Sequence, residues 1–335
     1  MTQGLGEPGD GGAEAADAER FLLGGVPRYT RQQAAERAGV SLRRAARLWR
    51  SLGFATPGDT ELVFADADVD ALRTITTLHD SGVASPAVEL ALARAIGQTM
   101  SRLTEWQVEL LRELTDSGES TDSGESHGAG AASGLASAAA LVPTVERLQL
   151  YVWRRHLLAA TERLLSSATQ AGEKASMAVG FADIVGFTSL SRGLTEVRLA
   201  EFLDEFEASA SEVVTERHGR VIKTVGDEIM FVADTADAAA AIGLDLADRL
   251  SALDSRPDLR TGLAYGPVLR RLGDVYGPVV NLASRLTALA RPGTVLVDRD
   301  LANALERETC YQVKKLRRVS VRGYSHLQPW LLRRA

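Results

Sequence analysis

Two aspartates set into otherwise apolar runs have the most chemistry to offer. Asp183 interrupts FADIVGFT, and Asp227 follows Gly226 in KTVGDEIMF. A carboxylate at the end of a core strand is costly unless something pairs with it. Gly186 and Thr188 follow Asp183 at once, so the chain turns and presents backbone N–H groups beside the carboxylate. That setting suits a metal and phosphates together. Alone, Asp183 reads equally well as a strand-end residue capping a turn. Asp227 changes the reading, because the turn it occupies would lie beside the strand that ends in Asp183. Two carboxylates on neighbouring strand ends can hold two divalent ions, and such pairs stabilise the attacking and leaving oxygens of a phosphoryl displacement. Oxygen ligands suit Mg²⁺ or Mn²⁺, and no His/Cys cluster suggests zinc. Glu228 reads as a solvated or structural carboxylate.

The elements around these residues alternate in type. SMAVGFADIV is a strand, and Thr195 to His218 is an amphipathic helix with Leu199, Phe202, Leu203, Phe206 and Val213 turned inward. RVIKTVGDEIMFVAD predicts two short strands around the Gly226–Asp227 turn. Thr235 to Leu253 is helical, LRTGLAYGPVLRRLGD is a strand pair with a Gly/Pro break, and Gly277 to Ala290 is a helix. TVLVD begins the closing strands. The order strand–helix–strand–strand–helix–strand is the split βαβ arrangement of a ferredoxin-like α+β domain.

At 335 residues the chain has the length of two domains. Residues 1–25 read as a disordered tail, and 26–114 as an all-α region. The stretch 115–140, with TDSGES repeated in tandem, reads as a flexible linker. Residues 141–170 follow as a connecting helix, and 171–335 form the α+β unit. No run of about 18 apolar residues suggests a membrane span. The first twenty residues lack the basic start and apolar core of a secretory signal. The single Cys310 cannot form an internal disulfide, which fits a cytoplasmic location. A net charge of -6 argues against a bulk nucleic-acid binder.

The segments FADIVGFTSLS, IKTVGDEIMF and GDVYGPVVNLASRL, in that order, resemble the three signature segments of class III adenylyl cyclases, over roughly residues 175–333. The resemblance implies a homodimeric, metal-dependent enzyme that makes cyclic AMP from ATP. By it, Asp183, Asp227 and Ile184 correspond to ligands of two Mg or Mn ions. Ile184, Val185, Gly186, Phe187 and Thr188 correspond to the triphosphate cradle. Lys223 matches the lysine that reads adenine, and Asp274 its acidic partner. A lysine can donate to N1 of adenine and a carboxylate can accept from the 6-amino group; guanine presents the opposite polarity.

Asn281 and Arg285, four apart on one helix face, match the residues that orient the ribose and stabilise charge on the α-phosphate. Otherwise they would be a polar pair on a helix surface. Arg322, in VSVRGYS, stands where many relatives carry a triphosphate-binding lysine; it reads equally as surface charge. The metal carboxylates of one subunit meet the Lys, Asp, Asn and Arg set of the other in this family. One chain carrying both sets implies two equivalent sites in a homodimer.

YTRQQAAERAGVSLRRAARLWRSLGF, followed by FADADVDAL, resembles the winged helix-turn-helix of MerR-type regulators. Arg43, Arg44, Arg47 and Arg50 form a basic face there. Acidic and basic residues nevertheless balance across 26–114, which favours a helical protein-interaction domain over DNA contact. The alternative is a DNA-binding regulator with a nucleotide-sensing, weakly active cyclase-like half. The domain order also resembles actinobacterial cyclases whose N-terminal domain restrains catalysis, with a small-molecule ligand or a pH signal as its input. The helix before the catalytic unit carries His156, flanked by Arg155, as the candidate sensor.

Overall fold

The computed structural model describes residues 18–119, 127–168, 176–251, 257–271 and 273–335. The chain divides into two compact units, Met1–Thr161 and Glu162–Ala335.

In the first unit, short capped helices build a small core. Thr30 caps Arg31–Ala38 in a capping box with Gln33, and Gly39 closes it in the left-handed conformation. Ser41 and Gly53 bracket Leu42–Leu52 in the same way. Asp66–Asp80 and Pro86–Glu119 follow, and a single bridge joins Tyr29 to Phe64. Leu48, Trp49, Phe64, Val69 and Leu72 form the core, with the Trp49 and Phe64 rings stacked 4.4 Å apart. Gly97 lets the Pro86–Glu119 helix press on the end of Leu42–Leu52, because a Cβ there would come within 2.3 Å of the Leu52 carbonyl oxygen. Arg44 lies in an ion pair with Glu89 at 2.6 Å and with Asp80 at 3.3 Å. Glu89 is only 2% exposed, so this arginine is held within the unit rather than on a free basic face.

The stretch read as a flexible linker, 115–140, is helical at both ends. Pro86–Glu119 runs into it, and His127–Ala168 begins inside it and takes in the expected connecting helix as far as Ala168, residues 169–175 lying outside the described residues. Ala-rich sequence has high helix propensity, which outweighs the Gly and Ser content there. Residues 120–126 lie outside the described residues, as do 1–17 of the tail.

The second unit contains β1 (Ser176–Ile184), β2 (Arg220–Val225), β3 (Glu228–Ala233), β4 (Leu259–Pro267), β5 (Leu269–Arg271), β6 (Asp274–Tyr276), β7 (Thr294–Val297), β8 (Tyr311–Lys315), β9 (Val319–Val321), β10 (Tyr324–Leu327) and β11 (Trp330–Arg334). Seven of them make one sheet in the order β2-β3-β1-β4-β7-β11-β8, while β5–β6 and β9–β10 are separate ribbons. β1 is buried along almost its whole length, which explains its unbroken apolar run. The helices Glu196–Glu216 and Ala236–Ser251 cover one face through Phe206, Val213, Ile242 and Leu246. The Pro278–Leu289 helix covers the other through Val279 and Ala283, packed on Met177, Val179 and Phe181. The unit is thus a ferredoxin-like α+β domain with an extended sheet. No described helix is long and apolar enough to cross a membrane.

Candidate active site

Strand register brings the first carboxylates together. β1 pairs antiparallel with β3 so that Asp183 stands opposite Glu228, and with β4 so that Asp183 also stands opposite Arg260. Asp227 is one residue beyond, in the β2–β3 turn that Gly226 makes at φ +62°. The Ile184 N–H donates to the Asp227 carbonyl at 3.2 Å, tying the end of β1 to that turn.

Asp183 is only 8% exposed and accepts from the Arg260 guanidinium. Burial, followed by the charge of Asp183, raises the Asp227 carboxyl above its ordinary value. Burial raises Glu228 too, with Asp183 and Asp227 adding repulsion. Three carboxylates therefore share one guanidinium, an excess of negative charge that oxygen-seeking cations would relieve. Sequence reasoning passed over Arg260 and left Glu228 as an ordinary carboxylate. The signal for Arg260 was a lone charge in the apolar run LRTGLAYG. Its partner, 77 residues away, was visible only once the strands were in register.

After Ile184 the chain turns through Gly186 at φ +75° into the short helix Phe187–Ser191. The first N–H groups of a helix have no partner within it, so Gly186, Phe187 and Thr188 present donors beside the carboxylates. Val185 is anchored by its N–H to the Asp258 carbonyl at 2.9 Å.

A second cluster lies on β2 and β6. Lys223 Nζ donates to Asp274 Oδ2 at 2.6 Å, and the Val275 N–H donates to Asp274 Oδ1 at 2.8 Å. Burial alone would push the Asp274 carboxyl up; Lys223 and the Val275 N–H outweigh it and hold the group below the usual carboxylate range.

Asn281 and Arg285 sit on the Pro278–Leu289 helix. That helix approaches β4 so closely that a Cβ on Gly262 would come within 2.2 Å of the Thr287 nitrogen and 2.5 Å of the Ala283 carbonyl. Thr287 Oγ1 also donates to the Phe181 carbonyl at 3.3 Å. Ala283 and Thr287 thus face the sheet. Asn281 and Arg285, two residues off that stripe, turn outward, with Asn281 exposed and Arg285 half-buried. Among the described residues Arg285 makes no ion pair.

The structure therefore brings Asp183, Asp227, Glu228 and Arg260 together, and separately Lys223 with Asp274. No described contact joins the two groups within the chain. Arg322 lies exposed at the tip of the β9–β10 hairpin, preceding Gly323 at φ +89°, and no described contact ties it to either group. His156 is exposed on His127–Ala168.

Residues 169–334 match the family described as the adenylate and guanylate cyclase catalytic domain. An adenylate cyclase of Glutamicibacter nicotianae is 36% identical over 333 residues, covering 95% of this chain and 81% of that protein. An adenylate cyclase of Streptomyces coelicolor is 41% identical over 295 residues, covering 86% and 74% respectively. Among solved structures, the catalytic core of a rhodopsin-guanylyl cyclase with converted specificity, in complex with ATPalphaS, superposes with a TM-score of 0.46 at 22% identity. That match spans 49% of this chain and 98% of the other.

Proposed function

The chain belongs to the adenylate and guanylate cyclase family, and from that premise we propose that it converts ATP to 3′,5′-cyclic AMP and pyrophosphate at sites shared by two copies. The Lys223–Asp274 pair at 2.6 Å carries the choice of substrate. Its donor and acceptor match N1 and the 6-amino group of adenine, and they clash in polarity with guanine.

Asp183 and Asp227 would hold divalent cations, with Ile184 beside them and Glu228 adding charge. The donors are oxygens, and the surplus of carboxylate over guanidinium fits Mg²⁺ or Mn²⁺. When bound, such ions supply charge stabilisation at the reacting phosphate. The N–H groups of Gly186, Phe187 and Thr188 would cradle the triphosphate, those of Ile184 and Val185 being already bonded to the Asp227 and Asp258 carbonyls, and Arg322 would reach it from its hairpin as a clamp. Asn281 would fix the ribose, so that its 3′-oxygen faces the α-phosphorus. The bond from that oxygen to phosphorus forms as the bond to the pyrophosphate oxygen breaks. Arg285 would stabilise the charge that builds on the α-phosphate. Among the described residues no side chain stands out as a general base, and the hydroxyl proton would pass to water or to the substrate.

Two features support a shared site. The carboxylate group and the Lys223–Asp274 pair make no described contact within one chain, and Asn281 and Arg285 turn away from their own sheet. A two-fold homodimer would set one copy's carboxylates against the other copy's base-reading and helix residues. The N-terminal unit would regulate this assembly, with His156 on the connecting helix as the candidate pH sensor. The DNA-binding alternative loses ground because Arg44 is bound to Glu89 and Asp80.

Purified full-length protein with Mn²⁺ should form cyclic AMP from ATP and little cyclic GMP from GTP; equal turnover of both would overturn the adenine reading. Asp183→Ala and Asn281→Ala should each be inactive, and mixing them should restore one site per mixed dimer. Failure of either to rescue the other would refute shared sites.

A further inference from the structure

Far along the sheet from the carboxylates, beyond β4 and β7, β11 and β8 lie beside a cavity of about 670 Å³. Its walls carry Arg299, Lys315, Arg318 and His326, with Gln328 and Trp330, and among the described residues no carboxylate lines it. Among the described residues none of these four basic side chains forms an ion pair. Elsewhere in this unit arginines find acids readily, as Arg334 does with Asp245 and Asp248. Asp298 and Asp300 line an adjoining cavity that Arg299 and His326 also border.

The arrangement is held in place. Lys315 and Trp330 are cross-strand partners on β8 and β11, and the Lys315 ammonium lies 5.5 Å from the centre of the Trp330 ring. Gln328 fixes Arg318: its amide nitrogen donates to the Leu316 carbonyl while its oxygen accepts from Arg318 Nε at 3.4 Å. The terminal guanidinium nitrogens of Arg318 remain available. The Trp330 ring lines the cavity, while its indole Nε1 is buried and has no hydrogen-bond partner.

We propose that this cavity is a binding site for a multiply charged phosphate anion, distinct from the carboxylate cluster and from the triphosphate clamp proposed at Arg322, which stands at the tip of the hairpin whose base carries Arg318 and His326. Three permanent cations and a histidine would leave a monocarboxylate outnumbered. A pyrophosphate or an organic phosphate offers several oxygens and two or more charges. The volume lies in the ordinary range for small-ligand sites. The anion could be pyrophosphate, the product of the proposed reaction, or a free phosphate compound.

Trp330 provides the reporter. Full-length protein in EDTA should be titrated with inorganic pyrophosphate, inorganic phosphate and succinate, following tryptophan fluorescence and, independently, heat of binding. Saturable pyrophosphate binding should weaken at least tenfold in the Lys315→Ala/Arg318→Ala double variant. It should be unchanged in Arg322→Ala, which removes the proposed triphosphate clamp, and largely kept in Lys315→Arg. Trp330→Phe should lose the fluorescence response while the calorimetric signal persists. Phosphate binding equal to that of pyrophosphate would assign the site to free phosphate compounds and exclude a product site. Absence of saturable binding, equal affinity for succinate, retention in the double variant with unaltered circular dichroism, or loss in Arg322→Ala would each overturn the proposal.

Discussion

Lys223 and Asp274 are 51 residues apart in sequence and 2.6 Å apart in space, joining β2 to the β5–β6 ribbon. A free ion pair this exposed contributes little to stability; its use is a fixed donor beside a fixed acceptor. Lys223→Met should therefore leave the thermal midpoint nearly unchanged and lower kcat/KM for ATP by about 100-fold, because the bound base meets an unpaired acceptor. GTP turnover should fall far less. Steady-state rates with both nucleotides check this; a parallel loss for both would remove base reading from the pair.

Asp183 and Arg260 couple stability to cations. Arg260→Ala leaves Asp183, Asp227 and Glu228 without their guanidinium. The variant should be destabilised by about 1–3 kcal/mol in EDTA, a figure reduced from that of a fully buried pair because Arg260 is 40% exposed. Mn²⁺ should restore most of that loss, since an ion at 100 times its dissociation constant stabilises by about 2.7 kcal/mol. Asp183→Ala should show little Mn²⁺ stabilisation and no cyclase turnover. Thermal melts with and without Mn²⁺ separate the cases.

Much of the candidate site was legible because it breaks local rules. Asp183 and Asp227 stand out as carboxylates in apolar runs, and the Gly226 turn announces the hairpin that carries Asp227. The caps at Thr30, Ser41, Gly39 and Gly53 are equally local signals. What stayed hidden depends on distant pairing. Arg260 gains meaning only when β4 aligns with β1. The sheet beyond β4 could be read only as far as TVLVD, because β11 enters between β7 and β8 and its pairing is set by long-range register. Across 115–140 the Gly and Ser content suggests a linker, whereas the alanines favour helix, which the described residues on either side of 120–126 adopt.

Gly262 should matter to the site although it touches no substrate. A methyl group there would collide with the backbone of the Pro278–Leu289 helix at Ala283 and Thr287, so the helix must move and carry Asn281 and Arg285 with it. Gly262→Ala should cost about 2–3 kcal/mol, as overpacking does, and roughly 5–10 °C in thermal midpoint. It should lower kcat more than it raises KM, since displacement of Arg285 weakens only the transition state. An unchanged kcat in a folded variant would separate helix placement from catalysis.

Asp298 sets a pH dependence outside the site. Its carboxylate caps the Arg299–Ala304 helix through the Leu301 N–H at 3.0 Å and accepts the Tyr265 N–H at 3.2 Å. Burial outweighs both bonds and pushes it up to about 6 from an ordinary 3.8. The folded protein therefore holds this proton more tightly than the unfolded chain does. Its contribution to stability is fully present below about pH 4 and declines as pH rises through 6. Asparagine keeps the cap acceptor without the buried charge. Asp298→Asn should match the wild type near pH 4 and exceed it at pH 7.5, by up to about 3 kcal/mol. Urea unfolding at the two pH values decides it: a difference that is constant with pH would show that the Asp298 carboxyl titrates normally in the fold.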